Sequence, residues 1–464
     1  MCEGIERELQ SIDLGDKRLN RRSATLLQSL AADPAASINA AMGGWNETQA
    51  AYRFFDNPNV ESDEILGAHR EATQGRIDKE EVVLIVQDTT ELDFSNHPAT
   101  DSGVLNEADR FGLYDHSHLA FTPQRLCLGV LEVDFFSRTP ESLGKTRERK
   151  YDPIEEKESY RWLQGFRLAC QLARQHPTTQ IVSVADCECD IYDVFCEYQK
   201  QETPADFVIR ANQNRRSTEL NPDVGGHVYK KVRDEVAASE LLTTREVELP
   251  RTPKREARTA RLEIRAKTVT VKPPHMRQSL GTVQYNLVLV QEVGRAEDDE
   301  TTVSWLLITS LPIDSVDAVL RVVDYYVARW PVEVFFRVYK SGCRVEEIQL
   351  ETNARQQRCL VLYKIIAWRI MYLTFLGREC PQLPCDQMFA DCEWKPVWKI
   401  VRDDPLPEEA PPLSEFIPML AELGGYNNRQ HDHPPGPQAI WVGIRRMTDF
   451  ALAWNALGPE RETQ

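Results

Sequence analysis

The stretch DYYVARWPVEVFFRVYK, residues 324–340, decides how this chain is read. It carries the apolar period of an amphipathic helix, and Tyr326, Arg329, Glu333 and Lys340 recur along it at intervals of three, four and seven. On an unbroken helix, at about 100° per residue, these four fall at roughly 0°, 300°, 340° and 320°, which is one narrow stripe. A phenol, two cations and a carboxylate in one line either act on a single object or form a solvated stripe held by ion pairs, Arg329 with Glu333 foremost. The stripe alone leaves both readings open.

The whole chain narrows the choice. Its 464 residues correspond to roughly two to four folding units, and 42% hydrophobic with 8% aromatic content is enough to bury a core. The N-terminus shows no basic start followed by an apolar segment, and runs such as VVLIV and NLVLV are too short to span a bilayer, so a cytoplasmic protein without membrane partners is expected. Eleven cysteines are scattered without a C-x-x-C pair, which favours free thiols. Cys187 and Cys189, and likewise Cys380 and Cys385, lack the paired histidine spacing of a zinc site. The formal charge of -17, from 55 basic and 72 acidic residues, argues against a polyanionic partner unless the acidic residues are segregated. Much of the excess does collect in DPIEEKE, EVGRAEDDE and VRDDPLPEEA.

Three regions follow from composition and period. Residues 1–70 read as helical, with Leu19, Leu26, Leu27 and Leu30 on one face and Lys17, Arg18, Arg21 and Arg22 near a helix start, where cations oppose the macrodipole unless an anion docks. Residues 71–345 read as strand (EVVLIVQDTTELDF), hairpin broken at Pro123 and Gln124, helix, strand (IVSVAD), helix and strand (DFVIR): a mixed α/β sheet flanked by helices. Within them, about 211–300 is β-rich and basic and reads as an insertion, after which TVSWLLITS resumes the sheet and Ser315 caps the striped helix. Residues 346–464 read as helical, with a long helix over about 353–377 and a Pro-rich acidic linker.

Three acidic residues stand out by position, one of them Glu333 on the striped helix. Asp88 ends VVLIV and Asp186 ends IVSVA. A carboxylate at the end of a buried strand is costly unless solvated or paired, so two such ends invite a shared cation, and oxygen ligands are what Mg²⁺ takes. Two metals can serve one in-line phosphoryl transfer. Each Asp taken alone is equally compatible with an ordinary turn residue. His116 and His118 precede LAFTP and suit a hydrogen-bonded structural role, and Asp190 suits the N-cap of IYDVFCEYQ.

The pattern Tyr326-x2-Arg329-x3-Glu333-x6-Lys340, with Asp88 in VQDTTEL and Asp186 in VADCECDIYD, resembles the Tyr-Arg-Glu-Lys (YREK) signature of bacterial DDE transposases of cut-and-paste insertion sequences. LGDKRLNRR and AAYRFFDNPNV are similar to that family's transposon-end-binding domain, and the resemblance extends to PGPQAIWVGIRRMTDFALAW near the C-terminus. The resemblance implies an RNase H-like catalytic domain with a β-rich insertion, a helical N-terminal DNA-binding domain and a helical C-terminal dimerisation domain. It implies that Asp88, Asp186 and Glu333 hold two Mg²⁺ ions, with Mn²⁺ able to substitute, and that Tyr326, Arg329 and Lys340 grip phosphates beside the cleaved bond. Trp305 matches the position that stacks a flipped base, a core tryptophan being the other reading. Arg210 and, in the N-terminal region, Arg18, Arg22 and Arg53 become candidate DNA contacts. The implied partners are double-stranded transposon-end DNA, target DNA and a second copy of the chain, and the implied chemistry is end cleavage through a DNA hairpin and strand transfer into the target. A stand-alone RNase H-like nuclease and a non-catalytic DNA-binding regulator or transposition inhibitor are the alternatives. For the apolar face of Trp441, Ile444, Met447, Ala451 and Trp454, packing within its own domain competes with a homodimer contact.

Overall fold

The computed structural model describes residues 4–144, 152–221, 228–249, 251, 256–295 and 301–457. The chain passes repeatedly between two units, one formed by Met1–Lys79, Thr89–Gly144 and Pro331–Gln464 and the other by Glu80–Asp88 and Lys145–Trp330. In chain order the first part comprises α1 (Lys17–Ala32), α2 (Ile38–Met42), α3 (Trp45–Asp56), α4 (Ser62–Ile77), β1 (Val82–Asp93), β2 (Gly112–Phe121) and β3 (Cys127–Phe136). Then come α5 (Tyr160–Gln175), β4 (Gln180–Ala185), α6 (Tyr192–Lys200), β5 (Asp206–Arg210), β6 (Arg216–Leu220), β7 (Tyr229–Lys231), α7 (Val232–Ala237), β8 (Leu241–Leu249), β9 (Arg258–Val271), β10 (Val283–Glu292) and β11 (Ser304–Thr309). The remainder is helical: α8 (Val316–Val327), α9 (Pro331–Arg337), α10 (Asn353–Glu379), α11 (Asp391–Arg402), α12 (Leu413–Leu423) and α13 (Pro437–Leu457).

The second unit is built on a mixed sheet. Strands β1, β4 and β5 are parallel, with Val82 to Val86 opposite Gln180 to Val184 and Val182 to Ala185 opposite Asp206 to Ile209. Their apolar runs are buried, as expected of parallel strands covered on both faces. β11 joins antiparallel to β5, β10 to β11 and β9 to β10, so the β-rich segment continues the same sheet. β8 pairs with β9 along eight registered positions from Leu241 to Leu249 and is largely exposed. Ser315 caps α8 by accepting from the Ala318 N–H, as its sequence position predicts.

In the first unit α10 is the central element. By length and composition it could cross a membrane, but its apolar residues are buried among α1, α3, α4, β3, α12 and α13, which makes it a core helix. It is the long helix that the sequence places over about 353–377. Trp368 donates its indole N–H to the Cys127 carbonyl at 2.9 Å, and the Arg358 guanidinium donates to the Phe55 carbonyl at 2.9 Å and to that of Val60. On α1, Leu26, Leu27 and Leu30 are buried as predicted while Leu19 is half-buried, and Asp16 caps the helix.

One expectation fails at Pro331. The predicted single helix over 324–340 is two helices: α8 ends at Val327, and Arg329 and Trp330 make tightened bonds to the carbonyls of Tyr326 and Val327 at 3.1 and 3.2 Å. Proline lacks the N–H and its ring clashes with the preceding turn, so it opens a new helix. α9 then widens into a π-helical segment at Val338–Gly342, which removes Lys340 from the 100° progression.

The N-terminal segment is fastened by a buried acid. Glu8 accepts from His69 Nδ1 at 2.6 Å and from Arg76 at 2.9 and 3.0 Å, while His69 Nε2 accepts from the Val130 N–H at 3.0 Å, which fixes the tautomer. Burial opposes the Glu8 charge, but His69 and Arg76 outweigh it and hold its pKa at about 2 against 4.5. This carboxylate therefore stabilises the fold fully above pH 4.5 and loses its contribution as pH falls toward about 2. Glu8→Gln is expected to lower stability at pH 7 by up to about 3 kcal/mol. In urea titrations the gap from the wild type should shrink as pH drops through that window; a gap independent of pH would contradict the ionised clamp.

Candidate active site and nucleic-acid interface

The parallel register sets the site. β1 and β4 pair as far as Val86 opposite Val184, and two residues further along stand Asp88, within β1, and Asp186, just past the end of β4. β4 and β5 pair as far as Ala185 opposite Ile209, so the next positions are Asp186 and Arg210, and Arg210 in turn lies opposite Leu307 of β11. Side chains in register on parallel strands share a face. Both aspartates are half-buried at the mouth of a buried sheet.

Cations and aromatics of the same unit surround them. Arg329 donates to Asp88 Oδ2 at 2.7 Å, with both side chains mostly buried. Arg210 lies beside the Tyr326 phenol and near Asp186 and Cys187; burial works against its charge, but these neighbours outweigh burial and raise its pKa. Tyr326 is only 6% exposed, and burial is the main reason its phenol is held above its usual pKa. Trp305, half-buried, meets the Tyr326 ring nearly edge-on, with centroids 5.4 Å apart and planes at 65°. Six of the predicted positions, Asp88, Asp186, Arg210, Trp305, Tyr326 and Arg329, thus belong to one unit.

Glu333 and Lys340 lie beyond the Pro331 break, in the other unit, on α9 and the π segment. Lys340 donates to the Glu91 carbonyl at 2.7 Å and pairs with Glu346 at 3.0 Å. Arg18 and Arg53 are exposed and Arg22 is half-buried on α1 and α3; none makes an ion pair with a described residue. Among the described residues no group of three or more His, Cys, Asp or Glu side chains stands ready to hold a metal ion. The in-register aspartates nonetheless offer hard oxygen donors of the kind Mg²⁺ prefers.

One further reading needs correction. Asp190 does not cap α6, whose N-cap is Ile191. Its buried carboxylate accepts from the Asn212 and Gln213 N–H groups at 2.7 Å each and pairs with Arg215, fastening the loop that leaves β5 just after Arg210. Two unsatisfied loop amides and an arginine reached by a long-range contact outcompete a local cap, and spacing along the chain carries no trace of such a contact. The sequence reading also missed Trp330, which is 62% exposed in the turn before Pro331. A tryptophan preceding a proline is disfavoured within a helix, and that was the available signal. His116 is buried, its Nδ1 at 2.7 Å from Thr89 Oγ1, in keeping with the structural role predicted for it. Burial lowers the His118 pKa to about 4, so it is neutral at physiological pH. Asp190→Ala is expected to destabilise the protein by about 3–5 kcal/mol. In hydrogen exchange the amides of residues 212–213 should lose protection more than those of β4; equal loss in both would contradict a loop anchor.

Family comparisons agree with the ends of the chain. A transposase DNA-binding family model matches residues 1–60, and a transposase Tn5 dimerisation domain model matches residues 365–455. A cryo-EM structure of the piggyBac transposase synaptic complex with hairpin DNA aligns over 86% of this chain at 8% identity with a TM-score of 0.33. The alignment covers 58% of that chain, so less than two thirds of its length is spanned here. The α1–α3 region that carries Arg18, Arg22 and Arg53 thus matches a transposase DNA-binding family model, and the α10–α13 region matches a Tn5-type transposase dimerisation model, at the two ends of the chain where the sequence resembles DDE-type transposases.

Proposed function

We propose that the chain is a DNA transposase that binds the end sequences of its element, cleaves them and joins them to target DNA by phosphoryl transfer. The carrying observation is the pair Asp88, where β1 leaves its buried stretch, and Asp186, just past the end of the neighbouring β4, flanked by Arg210 and Arg329, in a chain whose residues 1–60 match a transposase DNA-binding family. Asp88, Asp186 and Glu333 would hold two Mg²⁺ ions, or Mn²⁺ in their place. Bound metal would activate the attacking hydroxyl or water and stabilise the leaving oxygen.

The protein's own groups do the rest. Arg329, Arg210 and Lys340 hold the phosphates beside the scissile bond, where charge-assisted hydrogen bonds both orient the strand and offset developing negative charge. Arg329 now occupies Asp88, so the guanidinium leaves this carboxylate when it takes a phosphate. Tyr326 lies against Arg210, and Trp305, whose ring meets that of Tyr326, offers its remaining face to an unstacked base. Arg18, Arg22 and Arg53 contact the inner part of the end sequence. A hairpin at the element end and action in the cytoplasm of a bacterium complete this reading.

Asp88→Ala, Asp186→Ala and Glu333→Ala are each expected to lower Mg²⁺-dependent strand cleavage about a thousandfold or more while end binding persists. A variant that cleaves at the wild-type rate would remove that residue from the site.

For assembly, we propose a homodimer on paired ends. Ile444, Met447 and Ala451 of α13 are buried within the protomer, so this face is already used and a partner meets the exposed Leu452 and Leu457 beside half-buried Trp454. Leu452→Glu with Leu457→Glu is expected to leave single-end binding intact and to abolish paired-end complexes in light scattering with end DNA. Paired complexes formed as readily as by the wild type would exclude this surface.

A further inference from the structure

Lys364 of α10 is completely buried, yet it is a lysine. Its Nζ pairs with Asp115 Oδ2 at 2.5 Å and donates to Ser117 Oγ at 2.6 Å, and the Ser117 hydroxyl donates to Asp115 Oδ1 at 2.6 Å. Asp115 and Ser117 are alternate residues of β2, a strand buried along its whole length. Above the ammonium lie three rings, all from the α9 and π-helical segment: Tyr339 at 4.3 Å, Phe336 at 5.2 Å and Phe335 at 5.3 Å from Nζ. A desolvated cation under aromatic faces is attracted by the ring quadrupoles, more strongly than at a wet surface. Tyr339 is tied further by donating its hydroxyl proton to the Leu360 carbonyl of α10 at 3.2 Å.

A buried ion pair of this kind is a poor device for stability, because apolar residues of equal volume do as well or better. It is a good device for registry, since a point charge with two fixed oxygen partners admits one placement of the rings above it. The rings bracket the stretch from Phe335 to Tyr339, between Glu333 and Lys340. A π-helical turn is a weaker ladder than an α-helix, so this segment needs outside support to hold its side chains in one place.

We propose that Lys364, fixed by Asp115 and Ser117, is a positioning residue that sets the placement of the Glu333-bearing segment through Phe335, Phe336 and Tyr339. Its catalytic consequence rests on the reading of Glu333 as a metal ligand; its structural consequence does not. Lys364→Met and the double variant Lys364→Met/Asp115→Leu separate the two, because the double variant leaves no buried charge unpaired and keeps the test open where the single variant folds poorly.

In the double variant, with melting temperature near the wild type, amides of residues 333–342 are expected to exchange at least tenfold faster while those of β2 and α10 keep their protection. The Mg²⁺ concentration for half-maximal end cleavage should rise about 10–100-fold, the usual range for lost support of a metal ligand, with end-DNA affinity unchanged. Wild-type exchange in 333–342 together with a wild-type Mg²⁺ requirement would overturn the proposal and reduce Lys364 to a counter-ion for Asp115. So would protection lost evenly across the unit. Absence of metal-dependent cleavage by the wild type would instead sink the transposase reading, and the exchange comparison would still decide the role of Lys364.

Discussion

The parallel pairing of β1 with β4 and β4 with β5 is the constraint on which the candidate site depends. Parallel strands covered on both faces stay largely apolar until they emerge, and the first polar residues that leave burial share one edge by register alone. Asp88, Asp186 and Arg210 are those residues. No loop conformation or ligand is needed to bring them together; slipping β4 by one residue against β1 would turn Asp186 to the opposite face from Asp88. The chemistry of the edge is therefore as rigid as the sheet.

How much of this was legible in the sequence follows from the range of each interaction. The apolar strand runs VVLIV and IVSVA, each followed by an aspartate, and the cap at Ser315 are local patterns, and they appear where the letters place them. The spacing of Tyr326, Arg329, Glu333 and Lys340 was also legible, but its geometric explanation was not. Pro331 breaks the helix and the π segment changes its pitch, so the 100° progression of an ideal helix does not run through residues 324–340. Asp190 was misread for the opposite reason: its local context allowed a cap, whereas its partners at 212, 213 and 215 are reachable only once β5 is in place. The continuation of the β-rich segment into the main sheet through β10 and β11 is likewise a pairing that composition does not encode.

The overall acidity of the chain also becomes intelligible element by element. Lys17, Arg18 and Arg21 are exposed on the first turns of α1 without intramolecular carboxylate partners among the described residues. In contrast, Arg76, Arg110, Arg215, Arg258 and Arg277 are consumed by internal ion pairs. Exposed Asp403, Asp404, Glu408 and Glu409 cluster in the loop after α11, and residues 297–300 of the acidic EVGRAEDDE stretch lie outside the described residues. Net charge counts all of these alike. Binding to a phosphate backbone depends on the cations that remain free and on the salt-dependent release of counterions at that patch, so a chain of negative net charge can still present a basic helix.

Three of the costliest features of the chain then have a common logic. Glu8 with His69 and Arg76, Asp190 with Arg215, and Asp115 with Lys364 each bury a carboxylate against a cation, which is a weak route to stability and an effective route to a single geometry. Each ties a segment that hydrophobic packing alone would leave free to slide: the N-terminal turn before α1, the loop after Arg210, and the π-helical segment after Glu333. In each case the fixed segment adjoins residues whose proposed work requires accurate placement of charge, whether on a phosphate or on a metal. Apolar contacts tolerate a displacement of half an ångström, whereas charge-assisted hydrogen bonds near 2.7 Å do not. The buried pairs therefore convert the precision of hydrogen-bond geometry into the precision of the surfaces that they carry.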